Sequence, residues 1–488
     1  MPRVLIDTTT GRLYDKEQQA EAFEALPIYN ELVSSMTTTM DHARIRSAVK
    51  ESYRYVMLSH TWESNEPTFQ LVETSSVYGL PASPANSKLQ RFCELVRSLR
   101  FKWAWSDTCC VNKLDREVLQ ESLIVRFRWY RGSSLTVVHL FGVSSQWQEF
   151  GCLSRSIWNT RAWTYQEYIA SEVVQFYTED WKPYLGLDNF NHKESPTILS
   201  EMEQAMNLTT QELATLRPGL DRVREKLRLA STRITILVED IAYSLLGIFN
   251  VTIPIIYGEG DRAVGRLLEQ ILTGSGAVTI LAWTGRAGNY NSCLPIDLAV
   301  YHQLTPPHIP QPMKVEEMES VITALRSSLP DLSLAVKMYK DLDALPPPFL
   351  AASRLRLPGI VFRLTELVLT SNPTSHIRVY HATTSTFGDM EIKTADDLTG
   401  MKDLSLVHPW VCSLLDQEFS GGADALDRTT QALRLVARLR QPFGALLFER
   451  LSRVEHRRVA TDSLIMVQIR EDASLTELID NIRTIQVS

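Results

Sequence analysis

From Tyr53 to Thr178 the chain alternates short apolar runs with stretches of helical periodicity, and this alternation restricts the fold more than any other feature. YRYVMLSH opens the series with Val56, Met57 and Leu58 continuously apolar, the pattern of a strand covered on both faces. KWAWSDTCCV, LTVVHLFGV and EVVQFYT read as further strands. Between them, Lys88 to Leu99 reads as a helix. The segment from Asp115 sets Leu119, Leu123, Phe127 and Tyr130 at helical spacing before a stop at Gly132, and Ser156–Ala170 can open another helix. Strands separated by helices predict a parallel sheet with helices on its faces. Open sheets of this kind place ligands at the carboxyl ends of their strands. Ser59, His60 and Trp62 stand at such an end, and Asp107 stands near another.

The stretch after the first strand reads SHTWES, so no GxGxxG fingerprint is present, and there is no GxxxxGK[ST] loop. A bound nucleotide would therefore not rest its phosphates in a glycine-rich cradle. A formal net charge of -7 without a strongly basic run argues against nucleic-acid binding. The N-terminus has no apolar core of a leader peptide, and no uninterrupted apolar run approaches the roughly 18 residues of a membrane span, so a cytoplasmic protein without membrane contact is expected. Six cysteines without CxxC spacing predict neither a disulfide framework nor a zinc site, and no metal is expected.

At 488 residues the chain exceeds one core. Residues 1–50 read as an N-terminal extension, with a short β element, a TTTG turn, a helix from Lys16 to Ala25 and a polar stretch. Residues 51–195 hold the sheet pattern. Residues 196–285 form a helical segment expected to pack on that domain. Its stripe Ile241, Leu245, Leu246 and Phe249 precedes a second helix carrying Ala263, Leu267, Leu268 and Ile271, and VTILAWTG reads as one more strand. Residues 286–488 read as an α+β region with a proline-rich joint, PPHIPQP.

The stretch richest in chemistry is SIWNTRAWTYQEYIA, Ser156–Ala170. On a helix Trp163 and Glu167 stand one turn apart on one face, which sets an indole beside a carboxylate. Such a pair suits a flat, cationic ring. The alternative is a helix whose aromatics fill the core while Glu167 pairs with Arg161 or faces water. Glu239, Asp240 and Glu259 read as helix caps and ion-pair partners, with an approach to the site as the lesser alternative.

Three ordered blocks resemble the fungal heterokaryon-incompatibility (HET) domain: Tyr55–Trp62, Trp103–Asn112 followed by QESLIVRFRWY, and Ser156–Ser171. A fourth, Glu239–Ile271, is similar to the segment that usually follows that domain. Together they cover roughly half the chain, departing from the family pattern at Glu63, Asn112 and Ala162. HET domains in turn resemble the TIR fold, a flavodoxin-like parallel sheet with flanking helices, and some TIR domains cleave NAD with a glutamate in a tryptophan-containing helix. On that resemblance the catalytic position is Glu167. Substrate contacts would come from Ser59, His60, Trp62, Asp107, Arg161 and Trp163. The implied activity is NAD hydrolysis, with NAD as substrate and no separate cofactor, in an intracellular protein of non-self recognition and cell death that forms a homo-oligomer on activation and answers a protein trigger. The other reading is a non-catalytic TIR-like module that self-associates.

Overall fold

The N-terminal strands Leu5–Asp7 (β1) and Leu13–Tyr14 (β2) pair antiparallel, and helices Lys16–Glu24 (α1), Pro27–Met36 (α2) and His42–Ser52 (α3) follow. The computed structural model describes residues 1–36, 41–206, 208–302, 315–329, 332–371, 377–386, 388–410, 427–470 and 474–488. The stretch before Tyr53 thus includes α2 and α3, with residues 37–40 of its polar part outside the described residues. Its α3 buries no residue fully, only half-burying the short stripe Ile45, Ala48 and Val49, and Asp41 caps it by accepting from the Ala43 and Arg44 N–H groups.

The expected alternation is present. Strand Tyr55–His60 (β3) precedes helices Phe69–Ser75 (α4) and Pro84–Ser98 (α5), strand Trp103–Trp105 (β4), helix Arg116–Arg131 (α6) and strand Leu135–Leu140 (β5). Helices Ile157–Thr160 (α7) and Ala162–Ala170 (α8) then lead to strand Val174–Thr178 (β6). The sheet order is β2-β1-β4-β3-β5-β6. β4, β3, β5 and β6 are mutually parallel, and β1 joins β4 antiparallel, with β2 outside it at the edge. Every residue of β3, β5 and β6 is buried, which explains why these strands read as unbroken apolar runs rather than alternating ones. In chain order the parallel strands lie second, first, third, fourth, so the order reverses between β3 and β5. The crevice at such a reversal, at the strands' carboxyl ends, is where an open sheet can admit a ligand.

Helix α6 covers this sheet for identifiable reasons. Asp115 caps it through the Glu117 and Val118 N–H groups, and Gly132 ends it. Gly247, in helix Leu246–Phe249, lets that helix pack on α6, since a Cβ at this position would fall 2.2 Å from Phe127 Cβ.

Two compact units divide the described chain: residues 1–219 with 233–255, and residues 220–232 with 256–488. The second contains nine strands among the described residues, almost all antiparallel. Helices Val315–Ser328, Leu332–Asp343 and Arg428–Leu439 pack over a core that includes Met338, Leu342, Phe362 and Val436. GIVFRLTEL lies within strand Arg354–Ser371 and SLIMVQIRED contains strand Ile465–Ile469. VTILAWTG is not a strand. Val278–Leu281 forms a 3-10 turn that buries Val278, Ile280 and Leu281, because a short apolar run can fill a core in either conformation. The joint PPHIPQP lies outside the described residues. Among the described residues no helix is long and apolar enough to cross a membrane.

Candidate functional site

The residues of Ser156–Ala170 do not form one helix. Arg161 is extended (φ -81°, ψ 139°) and separates α7 from α8. The break is stabilised by backbone contacts: Ala162 N donates to Ile234 O at 3.1 Å, and the Thr164 hydroxyl bonds the Trp158 and Arg161 carbonyls at 2.6 and 2.8 Å. Trp163 and Glu167 both fall within α8, four residues apart, so the one-turn relation holds.

Glu167 does not face water; it is 5% exposed. Its Oε2 accepts from Ser59 Oγ at 2.5 Å, while Trp158 Nε1 donates to the same Oγ at 2.8 Å. Ser59, at the end of β3, thereby holds one carboxylate oxygen in place. The other oxygen, Oε1, lies 3.8 Å from Arg126 Nη1, and the Tyr130 hydroxyl, which donates to Leu58 O at 2.8 Å, is close by. Burial raises the Glu167 pKa to about 7, the nearby Asp107 charge adds to the rise, and Arg126 and the Ser59 hydrogen bond offset it only in part.

Asp107 behaves oppositely. Burial opposes its ionisation, but the His60 hydrogen bond and the charges of Arg126 and Lys113 hold its carboxyl well below the usual range. His60 Nε2 lies 3.4 Å and Arg126 Nη1 3.5 Å from it, and Trp62 Nε1 donates to both carboxylate oxygens at 3.2 Å. On the far side His60 Nδ1 is 3.8 Å from Glu66, which with Glu63 pairs with the buried Lys88. The two carboxylates therefore differ in kind: Asp107 is a permanent anion and Glu167 titrates near neutrality.

The structure brings together Ser59, His60, Trp62, Asp107, Trp163 and Glu167. Arg161 does not join them. It contributes its carbonyl, which accepts from Arg233 Nη1 at 3.0 Å, because the kink between α7 and α8 places its backbone on the segment around Ile234. The cation that meets Glu167 is Arg126, whose guanidinium also lies 4.8 Å over the Trp163 ring. Asp240 adds a further, weaker negative charge near Arg126, in line with the lesser of the two readings its sequence allows. Trp62 is 47% exposed with Lys113 Nζ 3.6 Å over its ring. Arg126 carried a usable signal, since it lies three residues after Leu123 and four before Tyr130 and so shares the buried face of α6. No group of His, Cys, Asp and Glu among the described residues has a metal-binding arrangement.

Residues 55–145, from the first residue of β3 to the loop after β5, match the sequence model of the family described as Heterokaryon incompatibility protein (HET). The chain carries a HET domain. A 247-residue stretch is 35% identical to Vegetative incompatibility protein HET-E-1 of Podospora anserina, covering 47% of this chain and 17% of that protein. No solved structure matches. The matched HET span contains Ser59, His60, Trp62, Asp107 and Arg126. Trp158, Trp163 and Glu167 lie beyond it, so the site unites the matched HET span with the two helices that precede β6.

Proposed function

We propose that this protein cleaves NAD through its HET domain, inside the cell, as part of fungal non-self recognition leading to cell death. The observation that carries the reading is Glu167, a buried carboxylate held by Ser59 at 2.5 Å, pushed up to about 7, and set one helical turn from Trp163. The strand order, with its reversal between β3 and β5, supports a flavodoxin-like and hence TIR-like sheet. The likeness to an incompatibility protein supports the biological role.

In the proposed reaction the bond between ribose C1′ and the nicotinamide nitrogen breaks, and its electron pair neutralises the pyridinium. Ionised Glu167 stabilises the oxocarbenium-like ribosyl cation that remains, the same demand that glycoside hydrolysis makes of a carboxylate. Water then bonds to C1′ and gives its proton to Glu167 or solvent, leaving ADP-ribose; capture by a group of the substrate itself would give a cyclic product. Because nicotinamide departs from a cation, no second carboxyl need protonate it. Asp107, held ionised, then serves by fixing His60, Trp62 and Arg126.

A second reading, a non-catalytic module that self-associates, is favoured by one feature. Ile157, Ile234, Ile236, Leu237 and Val238 are 54, 58, 73, 47 and 59% exposed around the start of α8. Incubating the purified protein with NAD at several protein concentrations separates the two. The catalytic reading expects free nicotinamide, at a specific activity that rises with concentration if the active form is a homo-oligomer. Folded protein that releases none at any concentration would leave only the second.

A further inference from the structure

The place that Trp163 and Glu167 make for a cation is already occupied. Arg126 lays its guanidinium 4.8 Å over the Trp163 ring and sets Nη1 3.8 Å from Glu167 and 3.5 Å from Asp107. A guanidinium is flat, delocalised and positively charged, as a pyridinium is, and it uses the same indole face and the same carboxylate. The two cannot share that face. The hold on Arg126 is also loose in a specific sense: both carboxylate contacts exceed the roughly 2.7–3.2 Å of a hydrogen bond, and Nε is buried without a hydrogen-bond partner among the described residues. Charge and stacking keep it in place, and an incoming organic cation supplies both.

We infer that Arg126 is an internal occupant of the cation seat, so that a flat organic cation binds only in molecules whose Arg126 side chain has left Trp163. The inference rests on the reading of Glu167 and Trp163 as a site for the nicotinamide ring. It makes the described arrangement the closed form of that site, and it assigns control of admission to a residue of α6 within the HET domain. Apparent affinity for the ring is then lowered by the fraction of molecules that are open.

The test is calorimetric titration of the full chain with 1-methylnicotinamide, a pyridinium without ribose or phosphate, and with neutral nicotinamide as control. Arg126→Met keeps much of the volume and removes the competitor. It should bind the cation about tenfold more tightly than wild type, the scale of one stacked cation contact, with no comparable gain for nicotinamide. Equal or weaker cation binding by the folded variant overturns the inference. If Arg126→Met fails to fold, Arg126→Lys retains the charge but cannot cover an indole with a flat fork, and it should gain affinity in the same direction. If neither variant folds, Arg126 is a structural pin and the inference falls as well. NAD turnover is scored separately. Tighter cation binding without nicotinamide release from NAD keeps the occupied seat and removes the enzyme, whereas release by wild type with no gain in Arg126→Met removes only the occupant.

Discussion

Ser59 donates its hydroxyl proton to Glu167 Oε2 at 2.5 Å, across 108 positions of sequence. Trp158 Nε1 donates to the same oxygen of Ser59 at 2.8 Å, so the serine proton has a single destination. This chain of two hydrogen bonds ties the end of β3 to α7 and α8 and fixes which carboxylate oxygen remains for a ligand. Ser59→Ala breaks it twice, removing a donor from the carboxylate and leaving a buried indole N–H unsatisfied. The expected cost is about 1–3 kcal/mol of stability, read by denaturant unfolding, together with a rise in the Glu167 pKa. A variant that unfolds at the wild-type midpoint would show that the relay does not hold the site.

Glu167→Gln keeps the side-chain volume and deletes the charge. NAD cleavage should fall by at least about a hundredfold, the scale of removing one preorganised electrostatic contact, with circular dichroism unchanged. Nicotinamide release within a few-fold of wild type removes Glu167 from the reaction.

The pH dependence follows from the same carboxyl. Glu167 titrates at about 7 when folded against 4.5 as a free side chain, so between these values the native state holds a proton that the unfolded state has lost. Stability then falls as pH rises through this window, by on the order of 3 kcal/mol for this group alone. In the proposed reaction activity runs the other way, because only the ionised form would stabilise a ribosyl cation, and it should rise through about pH 7. Asp107, with its lowered pKa, contributes stability that is present at neutral pH and lost only in strong acid. Melting temperatures of wild type and Glu167→Gln at pH 5 and pH 8 check the sign: the wild type should lose more on going to pH 8. An equal change in both proteins rules out a raised Glu167 pKa.

Much of this was legible in the chain, and the limits are physical. The buried parallel strands announced themselves because both faces are covered, and α6 because Asp115, its apolar stripe and Gly132 agree. The pairing of Trp163 with Glu167 followed from helical spacing alone. Arg126 was overlooked although its spacing from Leu123 and Tyr130 puts it on the buried face of α6, because a charged residue among apolar ones is ordinarily read as solvent-facing, and only the fold supplies Asp107 and Glu167 as its buried partners. Helix α3 was overlooked because its short stripe, Ile45, Ala48 and Val49, is only half-buried and stands among charged neighbours. The break at Arg161 was hidden too, since its cause is a pairing with Ile234, far along the chain.

Gly247→Ala tests the support beneath the site. The added methyl would meet Phe127 Cβ at 2.2 Å, so Leu246–Phe249 and α6 must move apart. Overpacking of this kind costs about 1–3 kcal/mol, and α6 carries Arg126 and Tyr130. Thermal unfolding should show the loss, with NAD cleavage altered more than a change at the same depth elsewhere would cause. An unchanged melting temperature would mean that the helices separate freely.

Trp163 has two possible clients, Arg126 and the substrate ring, and kinetics tell them apart. Trp163→Ala deletes the indole face under Arg126 while leaving Glu167 and its Ser59 donor untouched. If the ring of NAD stacks there after Arg126 departs, the variant loses a cation–π contact of about 0.5–2 kcal/mol, and the Michaelis constant should rise by roughly two- to thirtyfold. kcat should change less, because the carboxylate that meets the ribosyl cation is still in place. If the indole serves only to seat Arg126, its removal frees the arginine to close more tightly on Glu167. kcat would then fall, the alkaline-going rise of the pH profile would shift to lower pH as Glu167 becomes easier to ionise, and the Michaelis constant would stay put. The two outcomes differ in which constant moves, so a single pH series on the folded variant decides whether the tryptophan faces the substrate or the arginine.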